Sequence, residues 1–178
     1  MNFELTNEQK MIQRTLREFS EAEVAPNALE RDRSKQFPLD VFKKLSDHFG
    51  RVIVVSNQRG VGKGLMTEEA LQSIHLEMQR EVEIVNGKID KIYYCTEKDD
   101  KCFNRKPNPG MALQALRDFS DIDLSKSIMV GNKPGDMKFG RAAGMFTVFV
   151  KTTNPDQPFP HPDIDLVFPT LSDFASAL

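Results

Sequence analysis

What the chain lacks narrows it first. None of its 178 residues falls in an apolar run long enough to cross a bilayer, so no membrane partner is expected. Positive charge is not in excess either. With 24 Lys and Arg against 26 Asp and Glu the net charge is -2, which leaves no basic footprint for nucleic acid or an anionic surface. A polar small molecule is the partner class that remains. Cysteine is scarce, two in all, and the opening MNFELTNEQK lacks the basic and apolar regions of a secretory signal. A soluble protein in the reducing cytoplasm is expected. The length suits one ordinary domain with a short appendage.

What is there changes texture along the chain. Thr6 with Gln9 forms a capping box, and Ile12, Leu16, Phe19 and Val24 lie on one stripe until Pro26, predicting a helix. The charged link ALERDRSKQ follows. Pro38 then opens a second helix with Leu39, Phe42 and Leu45 at helical spacing, closed by Phe49 and Gly50. From Arg51 strand and helix signals alternate, which predicts a parallel sheet covered by helices. Val52 to Val55 reads as a buried strand. Thr67 caps a helix through Leu71, Ile74, Met78 and Val82, ended by Asn86 and Gly87. Strands are expected at Ile89 to Tyr94, Ser127 to Val130, Phe146 to Val150 and Asp165 to Phe168. Helices are expected at Met111 to Phe119, from Asn132, and from Ser172. No internal repeat is present.

Three stretches carry candidate chemistry. RVIVVSNQRGVGKG, Arg51 to Gly64, runs a strand into a glycine-rich loop, but it is not a nucleotide P-loop. Counting back from Gly62 and Lys63, the first required glycine is Asn57, and Gly64 follows the lysine in place of Ser or Thr. Either Gly60, Gly62 and Gly64 merely make a permissive turn, or Ser56 meets a phosphate at the strand's carboxyl end. In NRKPNPG, Lys106 sits before a proline and a helix and can project its charge at the sheet edge, or be solvated. In SIMVGNKPGDM, Asp136 at a helix start can bind a hard cation such as Mg²⁺, or favour the helix dipole.

In their order, VVSNQRGVGKG, KIDKIYYC, RKPNPGMALQA and MVGNKPGDM resemble the haloacid dehalogenase (HAD) superfamily of phosphohydrolases. They are most similar to its small-capped or capless heptose 1,7-bisphosphate and histidinol phosphatases. The resemblance covers about 48–178 and implies a HAD-like Rossmannoid α/β fold. It implies that Ser56 donates to the transferring phosphoryl group and that Asn57 and Gln58 orient substrate. Lys106 would offset charge on the nucleophile and phosphate, and Arg105 and Lys133 would contact substrate. Asp136, with Asn132, would belong to a Mg²⁺ site. Such clamps are how phosphoryl transfer is stabilised. The implied partner is a small phosphorylated metabolite; oligomeric state is left open.

The pattern also fails in places. The family's nucleophile and its general acid and base are aspartates of a DxDG-type motif on a central strand upstream of the serine strand. Here Asp40 sits in an amphipathic helix and Asp32 follows no strand. Instead, Met1 to about Asp47 resembles the N-terminus of an acyl-CoA dehydrogenase, without flavin, acyl-CoA or base residues. The chain thus divides into a helical segment, 1–47, and a HAD-like domain, 48–178, lacking the motif-I central strand. The family's metal-site aspartate is Asn132 here, which weakens Mg²⁺ binding. Cys95 and Cys102 stand where relatives carry a zinc loop. With Glu97 and Asn104 in the other positions they make a poor tetrahedral set, so zinc is not expected. His75, placed on the exposed side of its helix, and His161 have no partner at ligand spacing. The expectation is a phosphohydrolase domain of little or no turnover. The alternatives are a non-catalytic phosphate-binding or scaffold domain, and a chimera without evolved function.

Overall fold

The computed structural model describes residues 39–178. The capping box of Thr6 and Gln9, the stripe from Ile12 to Val24, Asp32 and the opening proline Pro38 lie outside the described residues.

Helix α1, Leu39–His48, precedes strand β1, Ile53–Asn57, and a single turn, α2, Arg59–Gly62. Then come α3, Glu68–Ile84, β2, Lys91–Cys95, and α4, Gly110–Asp118. A 3-10 turn at Leu124–Lys126 leads to β3, Ile128–Gly131. The chain closes with α5, Pro134–Ala142, β4, Phe146–Val150, β5, Leu166–Phe168, and α6, Leu171–Ser176. Helix α3 begins as its sequence requires, with the Thr67 side chain accepting from Ala70 N at 3.1 Å. Glu68 and Glu69 fill its first turn, where acidic groups suit the dipole.

All strand pairs are parallel, but they form two sheets: β1 with β2, and β3, β4, β5 in that order. The core shows that the sheets continue one another. Ile53 and Val55 pack with Met129, Phe149, Tyr93 and Cys95 on one face. Val52 packs with Ile128, Val130 and Val148 on the other. Among the described residues no strand pairs β1 with β3, a break in the layer.

The direction of the backbone groups locates that break. In a parallel ladder alternate residues aim both backbone groups at the same neighbour. Val52 O accepts from Asp90 N and Gln58 N donates to Cys95 O, each at 2.8 Å. Val52, Val54 and Ser56 therefore face β2, and Ile53, Val55 and Asn57 face the open edge. Likewise Phe146 N donates to Ser127 O at 3.0 Å, so Ile128 and Val130 turn outward from β3. The expected buried strand is accordingly corrected: every residue of β1 is half-buried, and among the described residues one of its edges has no neighbouring strand. This is where the sequence implied a missing central strand.

Helix α1 belongs to the same packed unit. Val41 and Leu45 lie against Val148, Phe174 and Ala175, and Phe42 against Val82 and Ile89. Its burial groups it with the sheet, although the sequence placed it with the helical segment ahead of residue 48.

Candidate functional site

The carboxyl end of β1 delivers Ser56 and Asn57, and the chain turns at once into α2. The expected glycine turn is therefore partly helical, and among its glycines Gly64 has the left-handed φ of 71°. Gln58 Nε2 donates to Ser56 Oγ at 2.9 Å. That bond occupies an acceptor position and leaves the Ser56 hydroxyl hydrogen available for an anion.

Lys106 is the centre of the group. Its Nζ lies 2.8 Å from Asp136 Oδ1 and donates to Val55 O at 2.8 Å. That carbonyl faces the open edge of β1. An ammonium has three donors, so one is left for a ligand. The lysine side chain is 13% exposed and the aspartate 12%; the ion pair is shielded yet reachable. The backbone of Lys106 is fixed from across the sheet: its N–H donates to Asn57 Oδ1, and Asn57 Nδ2 donates to Lys106 O, both at 3.0 Å. Asn57, expected to orient substrate, thus holds the Lys106 backbone with both ends of its amide.

Arg105, expected to contact substrate, is also engaged within the protein. It is buried, and its Nε donates to Asp100 Oδ1 at 2.9 Å while its Nη1 donates to Glu97 O at 3.1 Å. The guanidinium clamps its own loop. Asp100 is held below the usual carboxylate range by its bond from Arg105 and by the charge of Arg59. Sequence reading missed Asp100 because it stands in the charged run EKDDK, which reads as solvated.

Asp136 sits in the first turn of α5, where its Oδ2 accepts from Asn132 N at 3.2 Å and Lys133 N at 3.1 Å. Gly131 makes this possible: a Cβ there would lie 2.4 Å from the Asp136 Cβ. Both carboxylate oxygens are therefore in use. Asn132 Nδ2 donates to Thr152 Oγ1 at 3.2 Å, and Asn132 O accepts from Asn154 Nδ2 at 2.6 Å. The Lys133 side chain is exposed; its contribution here is its backbone N–H. For a magnesium ion, which takes oxygen ligands in near-octahedral geometry, the donor set is one carboxylate already paired with a lysine and one neutral amide. That set fits the ion poorly. Among the described residues no group of three or more His, Cys, Asp or Glu comes together to hold a metal.

Cys95 and Cys102 are free thiols with sulfurs 3.9 Å apart. His75 is corrected: it is half-buried, its ring 5.3 Å from that of Tyr94, and burial pushes its pKa down. His161 Nδ1 accepts from Asp163 N at 3.1 Å, a loop contact away from this group.

Comparison with known proteins places these features. The profile of the HAD-hydrolase-like family matches residues 103–174, and that of the acyl-CoA dehydrogenase N-terminal domain matches residues 6–77. A D-glycero-beta-D-manno-heptose-1,7-bisphosphate 7-phosphatase of Escherichia coli is 34% identical over 149 residues, covering 79% of this chain and 78% of that protein. The same-named protein of Pseudomonas aeruginosa is 33% identical over 143 residues, covering 79% and 80%. Among solved structures, the D,D-heptose 1,7-bisphosphate phosphatase of B. bronchiseptica, complexed with magnesium and phosphate, superposes with a TM-score of 0.71. It is 29% identical, with 79% of this chain and 82% of that chain covered. The corresponding phosphatase of Burkholderia thailandensis gives a TM-score of 0.58 at 28% identity, covering 79% and 84%.

Proposed function

The chain belongs to the family of the D-glycero-beta-D-manno-heptose-1,7-bisphosphate 7-phosphatases, and from that premise we propose that it recognises a small phosphorylated sugar, a monophosphate or bisphosphate, with little or no turnover. The observation that carries the reading is the Lys106 ammonium. It is shielded at the carboxyl edge of β1, with two of its three donors in use. The third, with the Ser56 hydroxyl, forms a cationic and hydrogen-bonding hold for phosphate oxygens. Asn57 and Gln58 act as positioning residues, through the Lys106 backbone and the Ser56 oxygen.

Among the described residues the hold has no attacking group. Among the described residues, Asp136 is the one carboxylate bonded to Ser56, Asn57 or Lys106, and both its oxygens are engaged. Asp40 is exposed in the first turn of α1. Hydrolysis of a phosphate monoester through an aspartyl-phosphate has no nucleophile among the described residues of this arrangement. Magnesium would add electrostatic stabilisation of phosphate charge, and its donor set here makes it a weak contributor.

A second reading, a chimera of two unrelated segments without evolved function, is favoured by the match of two unrelated family profiles to one chain. Helix α1 packs on α6 and α3, and the dehydrogenase-like profile runs past it to residue 77. Calorimetry with inorganic phosphate and with sugar phosphates tests the binding reading. Saturable heat whose affinity falls about 10- to 100-fold in Lys106→Ala supports it, and no heat with any phosphate ester refutes it.

A further inference from the structure

We propose that Cys95 and Cys102 form a dithiol–disulfide site that closes under a disulfide oxidant and ties the end of β2 to the turn carrying Arg105 and Lys106. The sulfurs are 3.9 Å apart and seven positions apart in sequence. A disulfide needs about 2.05 Å, so the sulfurs close from van der Waals contact. The two thiols occupy opposite ends of one short loop. Cys95 is the last residue of β2 and is 4% exposed. Cys102 is half-buried in a turn, where its N–H donates to Asp99 O at 3.1 Å. Its carbonyl accepts from Arg105 N at 3.0 Å and Asn108 Nδ2 at 2.9 Å. Between them the loop is already closed from inside by Arg105, on Glu97 O and Asp100. The geometry that brings the sulfurs together is therefore built into the fold. The metal alternative lacks ligands, since no third His, Cys, Asp or Glu joins the pair among the described residues. What two adjacent thiols can do without a metal is exchange with a disulfide.

The step balances with glutathione disulfide as oxidant. The Cys102 thiolate attacks one sulfur of that disulfide, the S–S bond breaks, and one glutathione leaves as thiolate and takes up a proton. The product is a mixed disulfide on Cys102. Cys95 then loses its proton to solvent, its sulfur attacks the Cys102 sulfur, and the second glutathione leaves. Two cysteine thiols are oxidised to one disulfide, and one glutathione disulfide is reduced to two thiols. The order follows from exposure, because Cys102 is the reachable sulfur. Burial pushes the Cys95 thiol up, so it is the less reactive of the two towards an outside disulfide.

Intact mass and peptide mapping of the full chain, incubated with glutathione disulfide, test this without reference to phosphate binding. The expected product has lost two hydrogens, retains no glutathione, shows Cys95 linked to Cys102, and reverts on reduction with dithiothreitol. Cys95→Ser should stop at one glutathione on Cys102, and Cys102→Ser should react at least about tenfold more slowly, as a buried thiol does. A stable glutathione adduct on Cys102 of the unsubstituted chain, a disulfide between chains, or two thiols that stay unreacted would each overturn the proposal. The measurement on the unsubstituted chain decides it even where a variant fails to fold.

Discussion

Lys106 Nζ stands 2.8 Å from Asp136 Oδ1 and 2.8 Å from Val55 O, so one ammonium joins the open edge of β1 to the first turn of α5. Removing it has two consequences that can be measured apart. Phosphate affinity should fall about 10- to 100-fold, the range of one lost charge-assisted hydrogen bond. The fold should lose about 3 kcal/mol, because Asp136 is left shielded and unpaired. Calorimetry and urea unfolding of Lys106→Ala read the two effects. Adding Asp136→Asn to Lys106→Ala should restore part of the stability and none of the phosphate affinity.

Gly131 fixes where that aspartate can stand. A methyl group at this position would sit 2.4 Å from the Asp136 Cβ, so Gly131→Ala must push the first turn of α5 away. A cost of about 1–3 kcal/mol is expected, the usual range for overpacking. Weakened phosphate binding should accompany it, through the displaced partner of Lys106. Thermal unfolding with and without phosphate measures both.

Asp165 gives the fold an acid-sensitive anchor. Its carboxylate accepts from the fully buried Thr147 through N at 2.8 Å and Oγ1 at 3.0 Å, and it pairs with Arg141. Burial pushes the carboxyl up, but the bonds from Arg141 and Thr147 outweigh it and hold the group below its ordinary value of 3.8. The folded state therefore binds the proton less tightly than the unfolded chain. The stabilisation is present above about pH 4 and is lost as pH falls from there through the depressed folded value. Asp165→Asn should lose about 1–3 kcal/mol at neutral pH and show a flatter decline as pH falls below about 4. Urea unfolding across that range checks the slope.

Helix α1 should be needed by the sheet unit. Leu45 packs with Val148 and Phe174, and Leu45→Ala should cost about 3 kcal/mol, a typical value for a core leucine. Loss of that size, read by chemical denaturation, places α1 in the phosphatase-like unit. A change of less than about 0.5 kcal/mol, as at an uninvolved surface site, would return the helix to the segment before it.

Much of this architecture was legible because strand and helix periods are local properties. Phe146–Val150 coincides with the expected strand residue for residue, and α3 ends just before Asn86 and Gly87, as their turn chemistry requires. Strand β2 begins at Lys91 and not Ile89, since Ile89 is buried by packing on Phe42 and Val82 and not by pairing. The 3-10 turn at Leu124–Lys126 went unseen; it rests on one side-chain cap, Asp123 Oδ1 accepting from Ser125 N at 3.0 Å. In the site, Ser56, Lys106 and Asp136 were readable as separate motifs. Their partners were not. The Asn57 amide meets a backbone 49 positions away, and Arg105 chooses Asp100 within a charged run; no periodic pattern encodes either contact.

The central claim is a phosphate hold without an attacking group. Its most direct test is release of inorganic phosphate from heptose 1,7-bisphosphate by the full chain, with and without magnesium, alongside calorimetry of the same ester. The expected result is saturable binding that needs Lys106, and phosphate release no faster than in buffer. Robust turnover that vanishes in Lys106→Ala would contradict the account and show that a nucleophile had been overlooked.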